Sequence, residues 1–180
     1  PTASEIRNTI EKIESNHVSD DPMITRSIRC VSTINKAHDD KVSGIVTVNN
    51  LLYTSSCDRT IKIWKLDDNN NCELLRTLKG HDHAVFALAA LPDGHLASVS
   101  GDRSIKVWNI ESGECLRTME GHKYAVLALI LSPDGQSLYS GSADESIKMW
   151  NWRTGECVRT LTDHTDSLYS LTFALNGTVL

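Results

Sequence analysis

Four histidines recur at almost constant intervals along this chain of 180 residues. They are His38, His81, His122 and His164, which lie 43, 41 and 42 residues apart. Self-similarity at one period of about 20 to 50 residues is typical of repeat architectures, in which one supersecondary unit is used several times. The histidine spacing therefore predicts that residues 38–180 form such an array.

Three further positions recur with the histidine. An aspartate stands six residues before a tryptophan, and a hydroxyl residue stands four residues before that aspartate. In the three complete units, the four positions are His38, Thr54, Asp58 and Trp64; His81, Ser98, Asp102 and Trp108; and His122, Ser140, Asp144 and Trp150. Agreement at four positions in three units indicates that every unit folds in the same way.

Each unit contains four short segments with the pattern of β-strands. In the second unit these are residues 85–91, 95–100, 105–110 and 114–119. The segments are separated by Pro92-Asp93-Gly94 and by Ser112-Gly113. These residue types favour tight turns, because Pro fixes φ and Gly accepts positive φ. The sequence therefore predicts a four-stranded meander for each unit.

The residues around each aspartate and tryptophan resemble a known repeat. Gly80 and His81 precede Val-Ser-Gly-Asp-Arg-Ser-Ile-Lys-Val-Trp-Asn at 99–109, and Gly121 and His122 precede Ser-Gly-Ser-Ala-Asp-Glu-Ser-Ile-Lys-Met-Trp-Asn at 140–151. Residues 38–180 resemble the WD repeat, also called the beta-transducin repeat. The resemblance implies an all-β fold, a WD-repeat β-propeller in which each four-stranded sheet is one blade around a central channel.

The repeats are expected at 38–80, 81–121 and 122–163, with part of a fourth at 164–180. Propellers have about 4 to 8 blades, so three complete blades and part of a fourth leave the ring incomplete in this chain. Because the chain begins with Pro1 and stops inside a repeat, we expect it to be a fragment of a longer protein. For residues 22–37, which contain a β-like stretch just before the first repeat, the resemblance implies an outer strand that leads into the propeller.

Residues 1–21 differ in pattern from the repeats and are expected to form an N-terminal helix and a linker. Residues 2–5, Thr-Ala-Ser-Glu, match a capping box, and Ile6, Ile10 and Ile13 recur at steps of four and three. Two alternatives stay open for this helix. It is either a short helix beside the propeller or the tail of an oligomerising helix.

The recurrent His, Ser or Thr, and Asp residues have the chemistry of a base, a nucleophile and an orienting acid. A catalytic site needs one such set in one cleft, whereas this set occurs in every complete unit. The resemblance implies instead a structural tetrad, in which hydrogen bonds join these three residues to the Trp indole. Buried polar groups need such partners. We therefore predict no catalytic residue.

Composition restricts the function classes further. The net charge of −5 disfavours binding to nucleic acid, which clustered Lys and Arg side chains drive. The five cysteines contain no C-x-x-C pair and the repeat histidines belong to separate units, so no metal site and no cofactor are predicted. The odd cysteine count and the absence of an apolar run of about 18 residues favour a cytoplasmic or nuclear location without membrane contact.

The polar residues just after each repeat histidine differ from unit to unit. Such variation on a fixed frame predicts a non-catalytic protein-protein interaction scaffold that binds other proteins or peptides, not a small-molecule substrate. The candidates for partner binding on this surface are Asp39, Lys41, Asp82, His83, Lys123, Tyr124 and Asp166. The resemblance implies that Cys57, Gly101 and Ala143, which precede the repeat aspartates, line the rim of the channel.

One segment favours a second function. Residues 138–153 resemble the box, ending in Trp-Asp-x-Arg, of substrate receptors in cullin-type ubiquitin ligases, with Asn151 where Asp is usual. The chain would then be the substrate-recruiting propeller of a larger enzyme or ubiquitin-ligase complex. Arg153 would be the docking residue, since a guanidinium makes bidentate contacts with a carboxylate.

Three other side chains are expected to have packing roles. Trp152 aligns with Leu66 and Ile110, which predicts that it packs between blades. Cys115 and Cys157 stand at equivalent positions of the last segment of their units and are expected to be small apolar fillers.

Overall fold

The structure is a computed structural model that describes residues 8–12, 29–67 and 71–173. Within these ranges, every regular element is a β-strand. Two strands precede the repeats, β1 (Asn8–Lys12) and β2 (Arg29–Ile34).

The first blade contains β3 (Val42–Val48), β4 (Leu51–Ser56), β5 (Ile61–Leu66) and β6 (Cys72–Leu78). The second contains β7 (Val85–Leu91), β8 (His95–Ser100), β9 (Ile105–Asn109) and β10 (Cys115–Met119). The third contains β11 (Val126–Leu131), β12 (Ser137–Ser142), β13 (Ile147–Asn151) and β14 (Glu156–Leu161).

Each blade is an antiparallel sheet whose four strands follow one another in chain order, as the sequence predicted. In the second blade the hairpin between β7 and β8 turns at Asp93 and Gly94, where φ is 59° and 73°. Two central residues with positive φ suit the twist of a tight hairpin. The sequence predicted positive φ at Gly94 but not at Asp93, a residue type that tolerates this conformation better than most.

The apolar core lies mainly between neighbouring blades. Trp108 of the second blade belongs to one buried cluster with Tyr53 and Ile61 of the first. Trp150 of the third blade belongs to another with Val99 and Ile105 of the second. Burial of large aromatic side chains is a main source of stability in such cores. The repeat tryptophan therefore joins each of these two blades to the one before it.

The glycine before the repeat histidine is required by this packing. Gly80 has a φ of 151°, and a Cβ atom there would lie 3.1 Å from the Trp108 ring. At Gly121, with a φ of 150°, the Trp150 ring would lie 3.3 Å away. Only glycine adopts this backbone conformation readily and leaves room for the ring of the following blade.

The helix predicted within residues 1–21 is wrong for the five residues of that segment that the structure describes. Asn8–Lys12 form β1, which pairs antiparallel with β2, with Asn8 opposite Ile34. Thr9 and Ile10 are β-branched residue types, which favour strands because their χ1 freedom is restricted in a helix. Pairing with β2 then satisfies the backbone. The other residues of the predicted helix lie outside the described residues.

The fourth repeat continues from the third blade. The backbone N–H of Leu168 donates to the carbonyl of Ser142 at 3.1 Å. A Cβ atom at Gly141 would lie 3.0 Å from Leu168 Cβ. The Phe173 ring meets Tyr139 edge to face at 5.4 Å. The first part of the fourth repeat therefore packs on the third blade, and the propeller in this chain is incomplete.

Candidate functional site

The four recurrent residues of the second blade form one hydrogen-bonded chain. His81 Nδ1 lies 2.7 Å from Asp102 Oδ2, and His81 Nε2 lies 2.7 Å from Ser98 Oγ. Trp108 Nε1 donates to the same hydroxyl at 2.8 Å. Strands β8 and β9 pair with Leu96 opposite Trp108, so Ser98, two residues further along β8, lies diagonally from Trp108 on the same face of the sheet. The loop before β7 brings His81 to the same hydroxyl. The serine hydroxyl thus bridges the imidazole and the indole.

The first and third blades repeat this geometry closely. In the first, His38 lies 2.8 Å from both Asp58 and Thr54, and Trp64 lies 2.9 Å from Thr54. In the third, the distances from His122 to Asp144, from His122 to Ser140 and from Trp150 to Ser140 are 2.9, 2.7 and 2.8 Å. The structure therefore brings all twelve recurrent residues together as three separate tetrads.

One proton arrangement satisfies every buried polar atom of a tetrad. The indole N–H donates to the hydroxyl oxygen, the hydroxyl donates to Nε2 of a neutral imidazole, and Nδ1–H donates to the carboxylate. A doubly protonated imidazole would leave the buried hydroxyl hydrogen without its acceptor. Burial accordingly lowers the pKa of His38 and His122, although the neighbouring aspartates oppose that shift. Geometry and burial therefore favour a neutral histidine in the first and third blades.

The aspartate of each tetrad accepts four hydrogen bonds. Asp102 Oδ2 accepts from His81 Nδ1 and from the backbone N–H of Asp82, and Oδ1 accepts from the backbone N–H and hydroxyl of Ser104. Burial alone would raise the pKa of Asp102, but the hydrogen bonds from His81 and Ser104 outweigh it and hold the pKa well below its usual range. The carboxylate therefore stays ionised.

The sequence analysis missed a fifth residue that takes part in each tetrad's hydrogen-bond network. A hydroxyl residue stands two positions after each tetrad aspartate, and each donates to that carboxylate at 2.5 or 2.6 Å. These residues are Thr60, Ser104 and Ser146. Their spacing of 44 and 42 matches that of the aspartates, so the repeat alignment carried the signal.

A second hydroxyl, two positions before each tetrad aspartate, joins the loops of one blade end. Ser100 is fully buried, donates from Oγ to the carbonyl of His83, and accepts from the N–H of Asp102. Ser56 and Ser142 make the equivalent contacts in their blades. These serines fix the loop that carries the residues after each repeat histidine onto the turn that carries the aspartate.

The exposed residues after each histidine lie at this same end of the blades. Seven of the eight side chains predicted for partner binding are exposed there, whereas the histidines that precede them in the three tetrads are buried. The exposed seven are Asp39, Lys41, Asp82, His83, Lys123, Tyr124 and Asp166. We call them the loop face. Tyr124 is the largest apolar group among them, with 63% of its surface exposed.

The residues expected at the channel rim lie beside the loop face. The backbone N–H of Cys57 donates to the carbonyl of Lys41 at 2.9 Å. A Cβ atom at Gly101 would overlap the His83 ring at its Nδ1 atom. The His83 imidazole, in the loop before β7, therefore covers Gly101 in the turn between β8 and β9.

Arg153, the eighth candidate, lies at the opposite end of the blades. It follows β13 in the turn to β14, whereas the loop face lies beside the turns between the second and third strands. Its guanidinium lies 4.2 Å from the Trp152 ring centre, and Nη2 binds Asp93 Oδ2 of the second blade at 3.2 Å. The structure does not bring Arg153 together with the other seven.

Trp152 packs between the second and third blades, as predicted. It is buried, its indole lies 5.7 Å from the His95 ring, and Nε1 donates to the carbonyl of Gly135 at 3.1 Å. The prediction that Cys115 and Cys157 are apolar fillers is wrong, because both are exposed. They lie on the outer strands β10 and β14, which have no further strand of their own blade beside them.

An arginine on the outer strand of each blade was also missed. Arg76 of β6 donates to the carbonyls of Glu111 and Ser112 in the second blade, at 2.8 and 3.0 Å. Arg117 of β10 donates in the same way to Thr154 of the third blade. Arg76, Arg117 and Arg159 recur at steps of 41 and 42, which is the signal that could have identified them.

Comparison with known proteins identifies the repeat. A sequence model of the WD domain, G-beta repeat, matches residues 28–65, 72–109, 113–151 and 155–180, which is more than half of the chain. The chain belongs to the WD40 repeat family. Each of the first three WD40 matches begins in or just before an outer strand and ends at the third strand of the following blade. The first match includes β2.

Curated relatives share part of this WD40 region. The chain is 37% identical over 89 residues to the nuclear distribution protein PAC1 of Komagataella phaffii, covering 47% of this chain and 18% of that protein. It is 41% identical over 68 residues to the nuclear distribution protein nudF of Aspergillus flavus, covering 37% of this chain and 14% of that protein. The matches span less than a fifth of either relative.

A solved WD40 structure has the same fold. The WD40 beta propeller domain of Doa1 superposes with a TM-score of 0.72 at 32% identity, over 79% of this chain and 48% of that chain. In the part of our chain that the structure describes, no helix has the length and apolarity needed to cross a membrane. No group of three or more His, Cys, Asp or Glu side chains is arranged for a metal ion in the described ranges.

Proposed function

We propose that this chain is part of a non-catalytic scaffold that binds other proteins or peptides through its loop face. The observation that carries the proposal is a contrast within each repeat. The tetrad keeps its geometry in three blades, while the exposed residue two positions after its histidine is Asp40, His83 or Tyr124. Function in a propeller resides in surfaces placed on a rigid frame.

The loop face has the chemistry of a protein-binding surface. Its charges are of both signs, and Tyr124 offers an exposed ring that carries a polar hydroxyl. Aromatic residues are enriched at protein interfaces for this reason. The backbone N–H groups of Asp39, Asp82 and Lys123 donate to the tetrad aspartates at 3.0, 3.0 and 2.8 Å, so each tetrad anchors its loop. Anchored loops lose little conformational entropy on binding.

The alternative, a substrate-recruiting propeller of a larger enzyme or ubiquitin-ligase complex that docks through Arg153, is supported less well. The Arg153 guanidinium already stacks on Trp152 and pairs with Asp93. A docking carboxylate would compete with Asp93 for Nη2. We also propose a cytoplasmic or nuclear location for the scaffold. This part of the proposal rests on the composition of the sequence.

A charge exchange on the loop face tests the proposal. The double variant Asp82→Lys/Lys123→Glu keeps the net charge of the protein. The yield of captured proteins should fall at least about tenfold, because like charges placed against each other at an interface cost several kcal/mol. The matched control is Lys65→Glu/Glu73→Lys, which exchanges a cross-strand pair on β5 and β6. Equal capture by the two variants would refute the loop face as the binding surface.

A further inference from the structure

A groove between the first and second blades lies at the end of the molecule opposite to the loop face. It has a volume of about 390 Å³. Its apolar wall consists of Leu51, Ile63, Leu75 and Ile110. At its rim lie the turn residues of the second blade, Asp93 and Glu111 among them. A recess of this size with apolar walls and a few polar rim groups is the form that binding sites take.

The equivalent groove between the second and third blades is closed by the chain itself. Asn151 and Trp152 stand in the third blade where Asn109 and Ile110 stand in the second. The Trp152 indole is buried against His95, which begins β8 as Leu51 begins β4. The smaller Ile110 side chain reaches the corresponding cluster of the first blade but leaves the groove open.

The neighbouring residue differs in charge between the two grooves. Arg153 follows Trp152, stacks on its ring and reaches Asp93 of the preceding blade. Glu111 follows Ile110 at the equivalent position and is exposed. The first groove therefore has no aromatic ring at the position of Trp152, and it presents a carboxylate where the second has the Arg153 guanidinium.

The cation that lines the first groove is already engaged. Arg76 directs Nη2 to the carbonyl of Glu111 and Nη1 to that of Ser112. The exposed carboxylate of Glu111 remains at the rim for a ligand, whereas Asp93 is paired with Arg153. Glu111 therefore favours a cationic group beside whatever enters the recess.

We propose that this groove binds a partner peptide through an aromatic side chain next to a Lys or Arg residue. The aromatic ring enters between Leu51, Ile63 and Ile110, as the Trp152 indole does in the next groove. The basic side chain lies at the rim beside Glu111. The site is independent of the loop face, so its failure would leave the scaffold proposal intact.

The experiment titrates the protein with acetyl-Trp-Arg-amide and follows the methyl resonances of Leu51, Ile63 and Leu75 by NMR. We expect saturable shifts confined to these groups. The Ile110→Trp variant, which closes the groove as Trp152 closes the next, should bind at least about tenfold more weakly, because aromatic burial supplies most of the affinity. Ile110→Val is the matched control and should bind as the wild type does. Absence of shifts at these methyls, or unchanged binding by Ile110→Trp, would overturn the proposal.

Charge variants test the basic neighbour separately. Glu111→Gln, on an exposed turn, should weaken acetyl-Trp-Arg-amide about two- to fivefold, the effect of one exposed ion pair. The same variant should bind acetyl-Trp-amide as the wild type does. If acetyl-Trp-Glu-amide bound as tightly as acetyl-Trp-Arg-amide, a basic partner would be the wrong class. Thermal melting of each variant separates lost binding from lost folding.

Discussion

Asp102 Oδ2 accepts a hydrogen bond from His81 Nδ1 at 2.7 Å, across 21 residues of sequence. The contact ties the loop before β7 to the turn between β8 and β9. Its counterparts at Asp58 and Asp144 do the same in the other two blades. The tetrad hydrogen bonds are therefore local to each blade, and removing them in one blade should destabilise that blade first.

The Asp102→Ala variant should lower the free energy of unfolding by about 1 to 3 kcal/mol, because the buried donors of His81 and Ser104 lose their acceptor and stay desolvated. Asp82→Ala, one residue after the histidine and exposed, should change it by less than about 0.5 kcal/mol. Urea unfolding followed by tryptophan fluorescence measures both. Equal effects of the two changes would show that the carboxylate has no structural role.

The bridging hydroxyl of the first blade can be removed without changing its volume much. Thr54→Val leaves Trp64 Nε1 without an acceptor and His38 Nε2 without a donor, which should cost about 1 to 3 kcal/mol. Thr54→Ser keeps the hydroxyl, as in the other two blades, and should cost only about 0.5 to 1.5 kcal/mol for the lost methyl group. A larger loss in the serine variant would contradict the bridging role.

Stability should fall as the solution becomes more acidic. Burial lowers the folded-state pKa of His38 and His122, so below their unfolded value of about 6.5 the unfolded chain binds more protons than the folded one. Below about pH 3.9 the tetrad aspartates, whose pKa is held low by hydrogen bonds, act in the same direction. Denaturant unfolding from pH 7.5 to 3 checks the slope. Stability that was constant or rose toward pH 5 would contradict neutral buried histidines.

The contact of Arg76 with the second blade depends on Gly113. Gly113 has a φ of 79°, and a Cβ atom there would lie 2.7 Å from Arg76 Cδ. Gly94 has a similar φ of 73° but no atom within 4 Å of its Cβ position, which makes it the matched control. Gly113→Ala should destabilise the protein by about 1 kcal/mol more than Gly94→Ala, through the two lost arginine hydrogen bonds. In an Arg76→Ala background this difference should vanish, and its persistence would rule out the arginine contact.

The fold was predictable from the sequence because every blade repeats the same signals. The turn Pro92-Asp93-Gly94 and the spacing of His81, Asp102 and Trp108 predicted the meander and its polar set. The hydrogen-bond partners of Ser104 and Arg76 were not predicted. The contact of Ser104 depends on which oxygen of the Asp102 carboxylate its hydroxyl reaches. The contacts of Arg76 depend on how the first and second blades pack against each other.

The N-terminal error has a different origin. Isoleucines at Ile6, Ile10 and Ile13 fit a helical stripe, but isoleucine is also a strand former. Antiparallel pairing of β1 with β2 is a tertiary feature that no local period reveals. Cys115 and Cys157 were misjudged for a related reason, since their exposure depends on the outer strand having no neighbour in its own sheet.

The central claim is that tetrads hold the blades together while the loop face binds, and one paired measurement tests it most directly. Thermal midpoint and yield of captured proteins are determined on the same samples of wild type, Ser98→Ala and Asp82→Lys/Lys123→Glu. We expect Ser98→Ala, which removes the acceptor of the Trp108 indole and keeps the hydrogen bond from Asp82 N–H to Asp102, to lower the midpoint by several degrees and to capture as wild type does well below it. The double variant should melt as wild type does and lose capture. A double variant that captured fully, or a Ser98→Ala variant that lost capture at an unchanged midpoint, would contradict the claim.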